Sequence, residues 1–179
     1  MDHAVKQRGV LRGIVVGVTI TLVVIVGMIH AGPVLLPAEA AIGERIAFAI
    51  RADAFMALWL GISIASLARH RFFSPEDIDG GGLTAGTERA NILQATLQNT
   101  LEQTVLAVLT HLGWAILMPV SWMSAIPAAV VLFLCGRVLF MRGYQGGAPS
   151  RAAGFALTFV PTVLMLVLVV GAAILTGFS

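Results

Sequence analysis

Asn91, Gln94, Gln98, Asn99, Glu102 and Gln103 lie within a stretch that otherwise reads as an apolar helix. At a helical advance of about 100° per residue these six side chains share one half of the helix, over three of its turns. A carboxylate such as Glu102 costs several kcal/mol in lipid unless it is paired, so the stripe is expected to face other helices. Two chemistries suit it. Amides and carboxylates can be hydrogen-bonded glue between helices, or they can form a polar ligand site in which Glu102 takes a cation or a ligand amine. Arg69, Arg71, Arg137, Arg142 and Arg151 stand at the ends of their own apolar runs, at the same level as the stripe. They can converge on it as partners, and any left unpaired would attract an anionic ligand.

The other reactive side chains have weaker claims. His30 and His111 are single imidazoles on apolar helices, with no second His or Cys at ligand spacing, and each is read as hydrogen-bonded rather than metal-binding. No metal site is expected. Cys135 stands alone in an apolar run, which excludes an internal disulfide and suggests a buried small hydrophobe. Trp59, Trp114 and Trp122 read as packing or interface anchors. Between Ser74 and Gly82 a turn-rich segment carries Glu76, Asp77 and Asp79; lacking EF-hand spacing, it reads as a solvated loop. Its three glycines are not followed by the Lys-Ser/Thr of a phosphate loop.

These groups are carried on transmembrane helices. Of 179 residues, 58% are apolar and 11% charged, with a mean hydropathy of +0.94. A soluble domain is about 45–50% apolar and about 25% charged, and only lipid tolerates the surface this difference implies. The uncharged run Gly13 to Ala31 would extend about 28 Å as a helix, close to a bilayer core. Further spans are expected at Ala54 to Ala68 (the helix beginning near Glu44), Ile92 to Met118, Ala125 to Met141 and Gly154 to Leu175, the last kinked at Pro161. With the N-terminus in the cytoplasm, nine of the 11 Lys and Arg residues fall inside, leaving Arg45 and Arg51 outside. Five spans satisfy the positive-inside rule at every loop. The expected location is the inner (cytoplasmic) membrane, with the C-terminus outside. Lys6, Arg8 and Arg12, the apolar run and Ala38-Glu39-Ala40 also have the form of a secretory signal. The run is longer than such signals use, and a retained helix is the expectation.

From Arg137 to Phe155 the sequence places an Arg, the aromatic Phe140, Gly143-Tyr144, and Arg151 seven residues after the Tyr. Upstream stand Asn99-Thr-Leu-Glu102 and the basic cluster Arg69-His70-Arg71. In this order and at these depths the motifs resemble the MAPEG superfamily, the membrane-associated proteins in eicosanoid and glutathione metabolism, in a bacterial-type member with an extra N-terminal helix. The resemblance runs over about residues 50–178. It implies an all-α membrane protein, a four-helix MAPEG-like transmembrane bundle plus one additional N-terminal transmembrane helix. Residues 1–45 would be the tail, extra helix and outer linker, and residues 46–179 the four-helix domain.

The resemblance also implies a homotrimer in the lipid bilayer. Glutathione would be the cosubstrate, bound between subunits near the cytoplasmic side, and a hydrophobic small molecule would reach it from the bilayer. Asn99 and Glu102 would bind glutathione, Glu102 at its amino group. Arg137 and Tyr144 would hold its carboxylates and backbone, with Arg69 as a further match, and Arg151 would stabilise the thiolate. The implied activity is a glutathione transferase or glutathione-dependent peroxidase acting on lipophilic electrophiles. The alternative is a non-catalytic lipid-binding or scaffolding protein of the same fold. Two positions depart from the family: Ala95 stands where its members often have an Arg, and Phe140 where some have a Tyr. Without that Arg, the site would hold glutathione's anions more weakly. A transporter using Glu102 as a proton site is disfavoured, because the stripe occupies only one half of its span. The first helix, with no ionisable span residue before His30, is expected on the outside of the bundle, contributing no polar ligand. No nucleic-acid partner is expected.

Overall fold

The computed structural model describes residues 3–177. Over that range the chain is five helices: α1 (His3–Ala31), α2 (Ile42–Phe73), α3 (Glu88–Leu117), α4 (Ala125–Gly143) and α5 (Ala148–Thr176). All five are long and apolar enough to cross a membrane. We call the end where α1 begins the near end. The charged segment before Gly13 is helical too, so α1 starts well before the apolar run expected to define it. α5 runs as one element through Pro161.

The near end is organised by an acid that the sequence placed in a solvated loop. Asp77 is buried, whereas Glu76 and Asp79 are exposed. Its carboxylate accepts from the Thr87 N–H at 2.8 Å, the Thr87 hydroxyl at 2.7 Å and the Ser74 hydroxyl at 2.8 Å, and faces His70 Nε2 at 2.9 Å. Thr87 in turn caps α3 by accepting from the Ala90 N–H. Asp77 thereby ties the end of α2 to the start of α3. At the far end, the Arg45 guanidinium donates to the Met118 carbonyl, closing the C-terminus of α3. The Ser124 hydroxyl likewise donates to the Met28 carbonyl and pins α1 to the turn between α3 and α4.

The helices pack α2 on α3, α4 on α5, and α1 along α5. A core of Ile25, Trp114, Met123, Ile126 and Met165 fills the far half. Along α1, Gly9, Gly13 and Gly17 face Pro149, Ala152 and Ala156 of α5, so the two helices run parallel. A Cβ at Gly13 would stand 2.8 Å from the Cβ of Ala152. Close approach of two backbones through small residues is a recurrent membrane contact, because helices in lipid gain from tight packing rather than from leaving water.

His111 of α3 sits 2.6 Å from Asp53 of α2, both buried. This pair ties the two helices in the far half; the sequence marked the imidazole as hydrogen-bonded but did not identify its carboxylate. Cys135, expected inside, is exposed on the outer surface of α4.

Candidate active site at the near end

Arg137 anchors the site. Its side chain is fully buried in α4, where its Nη1 donates to Asn99 Oδ1 of α3 at 2.8 Å and its Nη2 to Thr158 Oγ1 of α5 at 2.6 Å. The guanidinium lies over the ring of Phe140 at 4.6 Å and near that of Phe133 at 5.6 Å. One cation thus fixes three helices and orients the Asn99 amide. Gly136 and Gly154 permit this: a Cβ on either would collide with backbone of the facing helix, so α4 and α5 touch here. Thr158 was missed in the sequence, where a threonine in an apolar span carries no distinguishing signal.

Arg151 follows within the first turns of α5. Gly147, at φ +82°, makes the turn into the helix in a left-handed conformation natural to glycine, and Pro149 follows at its start. The Arg151 guanidinium stacks over the ring of Tyr144 at 4.4 Å and lies 5.8 Å from that of Phe140. It makes no hydrogen bond to another described residue. Tyr144, Arg151, Asn99, Phe140 and Ala95 all border one cavity of about 400 Å³. Both departures from the family pattern, Ala95 and Phe140, are therefore on its wall. They replace polar surface with apolar surface.

The other expected residues lie elsewhere in the single chain. Glu102 is exposed on the outward face of α3, where Gln98 Nε2 donates to it at 2.9 Å; no arginine reaches it. The stripe itself divides. Asn91, Gln94, Gln98 and Glu102 face outward, Gln103 is buried, and Asn99 turns to Arg137. Within the single chain only part of the stripe faces other helices, because α3 turns one flank of its polar half away from them. Of the arginines expected to converge, Arg71 reaches Gln94 at 3.1 Å and Arg137 reaches Asn99. Arg69 instead borders a separate hollow of about 700 Å³, with His70, Arg89 and the apolar Ile62, Leu93 and Met141. The structure thus brings together Asn99, Arg137, Tyr144 and Arg151, and leaves Arg69 and Glu102 apart.

The first helix lies along the outer side of α5, and its Val10 and Ile14 border the same cavity as Arg151. Among the described residues no three His, Cys, Asp or Glu side chains are grouped to hold a metal.

Five membrane-crossing helices, with a buried arginine linking three of them and a second arginine open to an apolar-walled cavity, define an integral membrane protein with a polar site at one end of its bundle. The pattern of the MAPEG family matches residues 46–171, and the chain belongs to that family. The match begins after α1, which is an N-terminal addition to the matched unit. No curated protein and no solved structure shows a significant match to the chain.

Proposed function

We propose that the protein is a homotrimeric, membrane-bound glutathione transferase that acts on lipophilic electrophiles, with its near end in the cytoplasm. The observation that carries this reading is the Arg151 guanidinium, which has no hydrogen-bond acceptor among the described residues and borders a cavity whose other polar lining residues are Asn99 and Tyr144. A free thiol has a pKa near 8.5 and is mostly protonated at neutral pH; lowering it by about two units needs about 2.7 kcal/mol of preference for the anion. A guanidinium in a water-poor site supplies interaction of that size. Arg151 fits this role because no described residue takes a hydrogen bond from its guanidinium. When bound, glutathione supplies the sulfur nucleophile: its lone pair forms a C–S bond, and the electrophile's leaving group departs with the electron pair.

Arg137 acts through Asn99, holding the amide toward the cavity rather than meeting the ligand itself. Glu102 and Gln98 face a neighbouring subunit, which removes the carboxylate from lipid. There Glu102 receives the glutathione amino group, and Arg69 contributes a further positive charge for its carboxylates. The test compares wild type with Arg151→Ala in detergent or nanodiscs, reading glutathione thiolate absorbance and conjugation of chlorodinitrobenzene. The expected result is loss of the thiolate band in the variant with assembly intact. A wild type without thiolate at saturating glutathione returns the protein to the lipid-binding alternative.

A further inference from the structure

The bundle places two apolar side chains of the added helix on the cavity of the proposed thiolate site. Val10 and Ile14, one helical turn apart on α1, close one side of the cavity that holds Arg151, Tyr144 and Asn99. The remaining wall nearby is Ala95, Phe140, Ala152 and Phe155. We propose that α1 is part of the active site: Val10 and Ile14 form the surface on which the hydrocarbon of the second substrate lies, and they set how long or wide that substrate can be. This rests on the transferase reading above.

Three features make α1 a built wall rather than a loose cover. First, the contact that holds it is made beside Arg151. Gly9 meets Pro149, and Gly13 meets Ala152 and the backbone of Ala153, on either side of Arg151 in α5. The distance from Val10 and Ile14 to the Arg151 turn is therefore fixed by backbone contact, without flexible side chains between. Second, α1 is pinned at its far end by the Ser124 hydroxyl on the Met28 carbonyl, so the helix is held at both ends of its length. Third, the chemistry of the wall is divided. Every polar side chain at the cavity comes from α3, α5 or the turn that precedes α5, and α1 gives only aliphatic carbon. That is the division required by a reaction joining a polar nucleophile to an apolar electrophile.

The α1 wall also gives Ala95 a role. With alanine here, the cavity keeps open apolar space between α3 and α1, where a long side chain would fill it. The second substrate is accordingly an electrophile carried on an alkyl or aryl body, with its reactive carbon toward Arg151 and its body between Ala95, Val10 and Ile14.

The experiment measures kcat/KM with glutathione for a series of alkenals from hexenal to dodecenal, in wild type, Ile14→Trp, Ile14→Ala and Val10→Ala. On an alkenal the sulfur adds to the β-carbon and the α-carbon takes a proton. A change in pocket volume at one side chain is worth about tenfold or more in discrimination. Ile14→Trp should lower kcat/KM for the long alkenals about tenfold relative to hexenal, while the two alanine variants shift the optimum toward longer chains. The glutathione thiolate band should stay at its wild-type strength in all of them. Val15→Ala, on the same helix but not bordering this cavity, should keep the wild-type profile. Opposite shifts from Trp and Ala at one position cannot come from lost stability alone. A wild-type length profile in all three wall variants, with the thiolate intact, overturns the role of α1 and leaves the transferase reading standing. Absence of thiolate and conjugation in the wild type overturns both.

Discussion

Arg137 is the residue on which the near end depends, and its hydroxyl partner makes the dependence measurable. Thr158→Val keeps the shape of the side chain but removes the acceptor of a buried, charged donor. The expected loss is about 1.5–3 kcal/mol, read as a lowered unfolding midpoint in detergent, and Thr158→Ser should restore most of it. An unchanged midpoint for Thr158→Val would mean that the guanidinium finds another acceptor. Asp77 offers a second test. Its carboxyl is held down from 3.8 to about 2, first by the Thr87 backbone N–H, then by the hydroxyls of Thr87 and Ser74 and by His70. A depressed carboxyl stabilises the fold above its unfolded pKa, and that contribution disappears as pH falls through the folded value. The stability difference between wild type and Asp77→Asn should therefore be constant above about pH 4 and shrink as pH falls from 3.8 toward about 2. A difference already shrinking near neutral pH would assign the effect to another group.

At the scale of elements, the contact between α1 and α5 decides whether the added helix is a wall or an appendage. Gly13→Leu places a branched side chain where even a Cβ would lie 2.8 Å from both the Ala152 Cβ and the Ala153 nitrogen. Backbone cannot yield as a flexible side chain does, so α1 must move away from α5. The expected outcome is faster proteolysis or hydrogen exchange of α1, while α2 to α5 keep their protection. Equal protection of α1 in Gly13→Leu and wild type would show that the helix is not held by this stripe. The pair His111–Asp53 does comparable work between α2 and α3, with a polar contact instead of small size.

For the whole molecule, the exposed edge formed by Gln98 and Glu102 requires cover. A carboxylate facing lipid is costly, and its only hydrogen-bond partner within the described chain is Gln98. The protein should run as a trimer by native mass spectrometry in mild detergent, and a charge-reversing Glu102→Lys should weaken that trimer. A monomer that keeps its thiolate would contradict this assembly. The topology has its own test. Nine of 11 basic residues lie on one side of the five-span arrangement, so a reporter active only outside the cytoplasm should be active when fused at the C-terminus and silent at the N-terminus.

The solvent, the five helices and the family were legible from the residues alone, because each rests on local information. Hydropathy over one span is enough to require lipid, and the motif at Arg137, Phe140, Tyr144 and Arg151 is read within one stretch of chain. The sequence also marked Asn99, Glu102 and Arg69 as polar groups needing partners. Which partners they have was decided only in three dimensions. The helical period puts Asn99 and Glu102 on one half of α3, but the rotation of α3 against α4 turns Asn99 inward to Arg137 and leaves Glu102 outside. The pairings of Asp77 with Thr87, Thr158 with Arg137 and Asp53 with His111 were silent for the same reason: they join residues 10 to 58 apart along the chain. The place of α1 beside the cavity was hidden most completely. Glycines at every fourth residue show that a helix can approach another closely, and only the packed bundle shows that the other helix is the one carrying Arg151.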